Sequence, residues 1–120
     1  MEIYKEFTFE AAHHLPHVAP DHPCARAHGH SFTLRVSVRG PVEPRAGWVL
    51  DFGDLVTAAA PVIAELDHHH LNEIPGLENP TTELLARWMW KRLKPGLPGL
   101  SRIEIRETAT TGCVYDGGDG

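Results

Sequence analysis

HGHSFTLRVSVRG, residues 28–40, places Phe32, Leu34, Val36 and Val38 on one parity and Thr33, Arg35, Ser37 and Arg39 on the other. A period of two with one apolar side predicts a strand whose inner face is buried. Upstream, residues 3–13 carry the same pattern: Ile3, Phe7, Phe9 and Ala11 share one side, with Tyr4, Glu6, Thr8 and Glu10 opposite. Between the two strands, residues 15–27 are rich in Pro, His and Asp without periodicity, which predicts a long loop.

Downstream, GPVEPRAG turns the chain, and DFGDLVTAAAPVIAEL (51–66) is predicted as a helix capped by Asp51 or Asp54. Pro61 inside it predicts a kink or a late start. NPTTELLARWMWKRL (79–93) opens with cap chemistry at Thr81 and carries Leu84, Leu85, Trp88, Met89 and Leu93 at helical spacing. SRIEIRET alternates again, and GCVYDG is expected to pair back with it through the Thr111-Gly112 turn, leaving a short Gly/Asp tail after Tyr115. Strand, strand, helix, helix, strand, strand reads as an α+β domain spanning 1–120, a four-stranded antiparallel sheet with two helices on one face. Its open edges call for a cover, and a second copy of the chain is the expected one.

A chain of 120 residues fits one domain with a modest core and one site. A formal net charge of −5 and the absence of any Lys/Arg run point away from nucleic acid and from an anionic membrane surface, towards a small molecule. No stretch is long and apolar enough to span a bilayer, and the start MEIYKEFTFE lacks the blocks of a signal peptide, so a cytoplasmic protein is expected. The two cysteines, Cys24 and Cys113, lie in unrelated settings and are expected as reduced thiols, Cys113 as a small buried hydrophobe.

The composition is unusual in its nine histidines. His28 and His30 lie two apart on the face shared with Phe32, about 6.6 Å from one another by strand rise, a spacing that lets both rings converge on one ion. His13 continues the parity of Phe9 and Ala11, whereas His14 sides with Glu10, so His13 is the third candidate. Three imidazoles and an open position are the pattern of a catalytic rather than a structural zinc site. Cys24, three residues before the His-x-His pair, either closes that site as a fourth ligand or stands beside it as a thiolate base or nucleophile, and spacing does not choose between them. LDHHHLN (66–72) sets Asp67 beside His68, which is either raw material for a proton relay or a solvated loop. Glu107 follows Ile103 and Ile105 on the inward parity, so it is either a frayed strand end or a carboxylate awaiting a partner with two adjacent N–H donors.

FTFEAAHHLPH, CARAHGH, LDHHHLN, NPTTE and ETATTGCVY, in that order over nearly the whole chain, resemble the 6-pyruvoyltetrahydropterin synthase family. The Cys-x-x-x-His-Gly-His spacing resembles its bacterial branch, the 6-carboxytetrahydropterin-forming enzymes of queuosine biosynthesis, because animal-type members carry a longer insert there. The resemblance implies the tunnelling fold (T-fold), in which subunits join their sheets into a barrel, usually a hexamer built as a dimer of trimers with active sites at the interfaces. It implies zinc on His13, His28 and His30, a catalytic Cys24, a catalytic pair Asp67–His68 reaching the thiol from a neighbouring subunit, and a pterin held by Glu107 with Thr81 and Thr82 near the ring. His69 and His70 receive no role from it.

The activity so implied is zinc-assisted proton transfer on 7,8-dihydroneopterin triphosphate, with loss of triphosphate and cleavage of the side chain to acetaldehyde. Arg26 is a local candidate for a triphosphate contact. Competing readings are a pyruvoyl-forming synthase, an aldolase, and a non-catalytic zinc-binding homologue. Cys24 speaks against the aldolase, which is expected to carry a glutamate at that point, and the joint presence of Cys24, Asp67 and His68 speaks against an inert subunit.

Overall fold

Alternation over residues 2–39 produces the longest feature of the fold, two strands, β1 (Glu2–His13) and β2 (His28–Arg39), paired antiparallel along their whole length. The pairing sets Phe9 opposite Phe32, Ala11 opposite His30 and His13 opposite His28. The apolar parity is buried as expected, and the Phe9 and Phe32 rings stack 5.0 Å apart between centroids. A computed structural model describes residues 1–118; the last two residues of the Gly/Asp tail lie outside the described range.

Helix α1 (Phe52–Leu66) starts at Asp51, whose Oδ1 accepts the Gly53 N–H at 2.8 Å, which decides between the two expected caps. Pro61 neither delays nor ends the helix: it sits on the exposed side, where the carbonyl it leaves unpaired faces water, while Leu55, Ala59, Val62 and Leu66 line the buried side. After α1 the chain returns along the free edge of β1 and forms a two-residue strand, β3 (His69–His70), parallel to Ala11–Ala12. The sheet therefore has five strands, not the expected four, and is not purely antiparallel. Two residues are too few to show a period of two, and this pairing is imposed by where α1 delivers the chain.

Helix α2 (Thr82–Leu93) is capped by Thr81, whose hydroxyl accepts the Leu84 N–H at 3.1 Å. Leu85, Ala86, Trp88, Met89 and Leu93 form its buried stripe, and Leu84 is half-buried at the margin. Strands β4 (Leu100–Arg106) and β5 (Gly112–Tyr115) complete the sheet in the order β3-β1-β2-β4-β5. Both helices pack on one face, against the side that carries Phe9, Phe32, Leu34, Val36, Ile103 and Ile105. Histidines 13, 28 and 30 sit at the end of that same face, where the long 14–27 loop leaves the sheet.

Candidate active site

Strand register brings the three histidines chosen by parity into one cluster. The ligand atoms offered by His13, His28 and His30 all lie within 4.8 Å of one another, a spacing that one ion bridges with modest ring rotation. Backbone carbonyls orient two of the rings: His13 Nδ1–H donates to Pro80 O at 2.9 Å and His28 Nδ1–H to Arg26 O at 2.8 Å. With Nδ1 protonated, each Nε2 keeps its lone pair for a cation. Two of these atoms, His13 Nε2 and His30 Nε2, are buried without a hydrogen-bond partner. Buried nitrogens left unpaired are costly unless something binds them, and three neutral imidazoles suit a divalent transition metal. Burial holds the His13 imidazole below its ordinary pKa, opposed by the Pro80 carbonyl, so it stays in the uncharged form a metal requires.

Glu107 sits at the rim of this cluster. One carboxylate oxygen accepts the Thr82 hydroxyl at 2.5 Å and the other lies 3.8 Å from His30 Nε2. The inward parity of β4 thus carries past its end, and the frayed-strand alternative falls. Thr81 and Thr82 have different duties: Thr81 caps α2, while Thr82 turns its hydroxyl to Glu107.

Cys24 lies in a 3₁₀ turn, Pro23–Ala25, with its N–H donated to His22 Nδ1 at 3.0 Å and its carbonyl accepting Leu15 N–H at 2.7 Å. Its half-buried thiol is free and stands outside the three-histidine group, so the closed Cys-His₃ arrangement is not formed. Asp67 and His68 do form a pair: His68 Nδ1 is 3.0 Å from Asp67 Oδ2, and Asp67 Oδ1 accepts Glu10 N–H at 2.9 Å. That backbone donor, followed by the imidazole, lowers the Asp67 pKa and keeps the carboxylate charged. His68 has a left-handed backbone, φ 60°, and an exposed ring that lines one open hollow together with Glu10, His30 and Ser31. Among the described residues no hydrogen bond joins His68 to Cys24.

Several supporting residues escaped the sequence reading. Asn72 accepts the His14 N–H at 3.0 Å and donates to the His14 carbonyl at 2.8 Å, while His14 Nδ1 pairs with His70 Nε2 at 3.2 Å. These bonds tie the 67–72 segment to the end of β1 across about the whole of α1. The one available signal was that His14 lies on the opposite parity from His13.

Residues 2–118 match the model of the family described as 6-pyruvoyl tetrahydropterin synthase. The chain belongs to that family. Among its relatives, a 6-carboxy-5,6,7,8-tetrahydropterin synthase of Synechocystis is 44% identical over 119 residues, with 94% of this chain and 91% of the relative covered. A dihydroneopterin monophosphate aldolase of Pyrococcus furiosus is 42% identical over 83 residues, covering 67% of this chain and 69% of the aldolase. The 6-pyruvoyl tetrahydropterin synthase structure from Caenorhabditis elegans superposes with a TM-score of 0.91 at 25% identity, covering 98% of this chain and 96% of that one. As a family member the chain carries the T-fold, and its sheet includes the short parallel strand β3. Among the described residues no helix is long and apolar enough to cross a membrane.

Proposed function

We propose that this chain is a 6-carboxy-5,6,7,8-tetrahydropterin synthase, which with water converts 7,8-dihydroneopterin triphosphate to 6-carboxytetrahydropterin, acetaldehyde and triphosphate in queuosine (7-deazaguanine) biosynthesis, in the cytoplasm. The observation that carries the reading is the cluster of His13, His28 and His30, two of its Nε2 atoms buried and unpaired, opening beside the carboxylate of Glu107. These histidines would hold zinc, which supplies Lewis acidity to the oxygens of the substrate side chain. Glu107 accepts the paired N–H donors on the edge of the pterin ring, which fixes the side chain over the histidines. Cys24 takes a proton as thiolate. His68, oriented by Asp67, takes or returns another. As the family resemblance implies, the working site combines Cys24 of one copy with the Asp67–His68 pair of a neighbouring copy in a homohexamer built as a dimer of trimers, a reading with which the separate hydrogen bonds of Cys24 and His68 within one chain agree.

The test is to identify the products formed from 7,8-dihydroneopterin triphosphate by zinc-loaded protein without oxygen. Carboxytetrahydropterin with acetaldehyde supports the proposal. A pyruvoyl product would instead assign the activity named for the Caenorhabditis elegans relative, retro-aldol release of the two-carbon aldehyde still carrying its triphosphate, together with 6-hydroxymethyl-7,8-dihydropterin, would assign an aldolase, and no turnover would favour an inert zinc-binding homologue. Cys24→Ala is expected to keep zinc at one per chain, measured by elemental analysis, and to abolish turnover; loss of zinc would make Cys24 a ligand.

A further inference from the structure

The Glu107 carboxylate has two polar neighbours. On one side the Thr82 hydroxyl donates to Oε1 at 2.5 Å; on the other, Oε2 is 3.8 Å from the unpaired Nε2 of His30. Carboxylate oxygens bind zinc at about 2.0–2.2 Å, and the terminal torsion of a glutamate is soft. A glutamate so close to a metal-facing imidazole therefore has a competing partner in any cation held there. As a fourth ligand it would close the open coordination position, and it would no longer face the ring edge of the pterin.

What opposes that movement is local. Thr81 takes the capping duty for α2, which frees the Thr82 hydroxyl from the backbone. Residue 82 is itself steadied from β5, where the Cys113 thiol donates to its carbonyl at 3.5 Å. Burial and the nearby carboxylates push the Cys113 thiol up, so it remains a donor. The N-terminus of α2 adds a partial positive charge on the same side.

We propose that the Thr82 hydroxyl is a latch that keeps Glu107 off the metal, preserving the open position and leaving the carboxylate for the pterin. The inference rests on the reading of the three histidines as a metal site and of Glu107 as the pterin anchor. Thr82 is thus a positioning residue, acting through Glu107.

The test loads the full chain with cobalt(II), whose visible absorption changes when an anion enters its coordination sphere, and titrates thiocyanate. Thr82→Val, similar in shape and at the first helical position, is expected to weaken thiocyanate binding by about tenfold or more, the scale of competition from an internal carboxylate at high effective concentration. Thr82→Ser is expected to bind as wild type, and Glu107→Gln added to Thr82→Val to restore binding. Wild-type affinity in Thr82→Val, or a loss that Glu107→Gln does not restore, overturns the latch. Binding of 7,8-dihydroneopterin to the same cobalt proteins separates the latch from its foundation. Unchanged binding in Glu107→Gln overturns the anchoring role and the latch with it, and a wild-type chain that takes up no cobalt overturns the metal site and both.

Discussion

His68 is the only non-glycine residue among those described with a positive φ, and it belongs to the proposed catalytic pair. A left-handed backbone costs a non-glycine residue about 1–3 kcal/mol, and such strain persists where the surroundings hold it. Here the restraints are visible: the His68 N–H donates to Glu10 O at 2.6 Å, and the ring is fixed to Asp67. Its 77% exposed side chain contributes little burial, so the strain is offset by positioning rather than by packing. His68→Gly is accordingly expected to raise stability by up to about 1 kcal/mol, after the entropy of glycine in the unfolded chain is subtracted, while removing turnover. Urea titration with an activity assay checks this; a clear loss of stability would mean that the imidazole–Asp67 pair outweighs the strain. The three clustered histidines were legible at this scale because parity in a strand is a rigid rule. His13 and not His14 joins His28 and His30, since one residue along β1 reverses the face.

At the scale of elements, the segment from Asp67 to the first residue of α2, Thr82, reaches the proposed catalytic pair, the histidine cluster and Glu107. It carries the Asp67–His68 pair, the Pro80 carbonyl that orients His13, and the Thr82 hydroxyl on Glu107. Asn72 holds it to β1 by bonding both backbone groups of His14, as an extra strand residue would. Asn72→Ala leaves those groups without their side-chain partner, at a cost of about 1–3 kcal/mol. Because a misplacement of about 1 Å can lower a rate a hundredfold, kcat is expected to fall by about tenfold or more with zinc content unchanged. Elemental analysis beside steady-state kinetics reads both, and an unchanged kcat would show the segment to be held by its other bonds. None of this was legible in the sequence, because an asparagine in a loop carries no periodicity and its partner lies 58 positions away.

At the scale of the whole molecule, two surfaces are left incomplete. The outer edge of β1 is paired by β3 at Ala11 and Ala12 and bonded by Asp67 and His68 at Glu10, among the described residues no strand pairs with it before that point, and no helix covers the second face of the sheet. Beside the open part of that edge, Val56 on α1 is 41% exposed and lines a shallow hollow with Phe7, Thr8 and Ile63. An unpaired edge flanked by apolar side chains is a template for association, in keeping with the oligomers typical of the family. Val56→Lys is expected to reduce the mass measured by light scattering by about half or more, leaving the circular dichroism of the subunit unchanged. An unaltered mass would place the contact on another edge. Turnover should fall with the assembly if Cys24 and the Asp67–His68 pair belong to different copies.

The sequence by itself determined the α+β class, the two long strands, both helices with the Thr81 cap, and the three histidines that share a face. Each of these depends on a period or a capping rule that acts over a few residues, so each is written in local order. Tertiary structure alone decided that Cys24 stands outside the histidine cluster, that β3 adds a parallel strand, that Glu107 pairs with Thr82, and that Asn72 clamps His14. Those outcomes join residues brought together only when the helices pack against the sheet, where hydrogen bonds between partners far apart in the chain compete with water and win by burial.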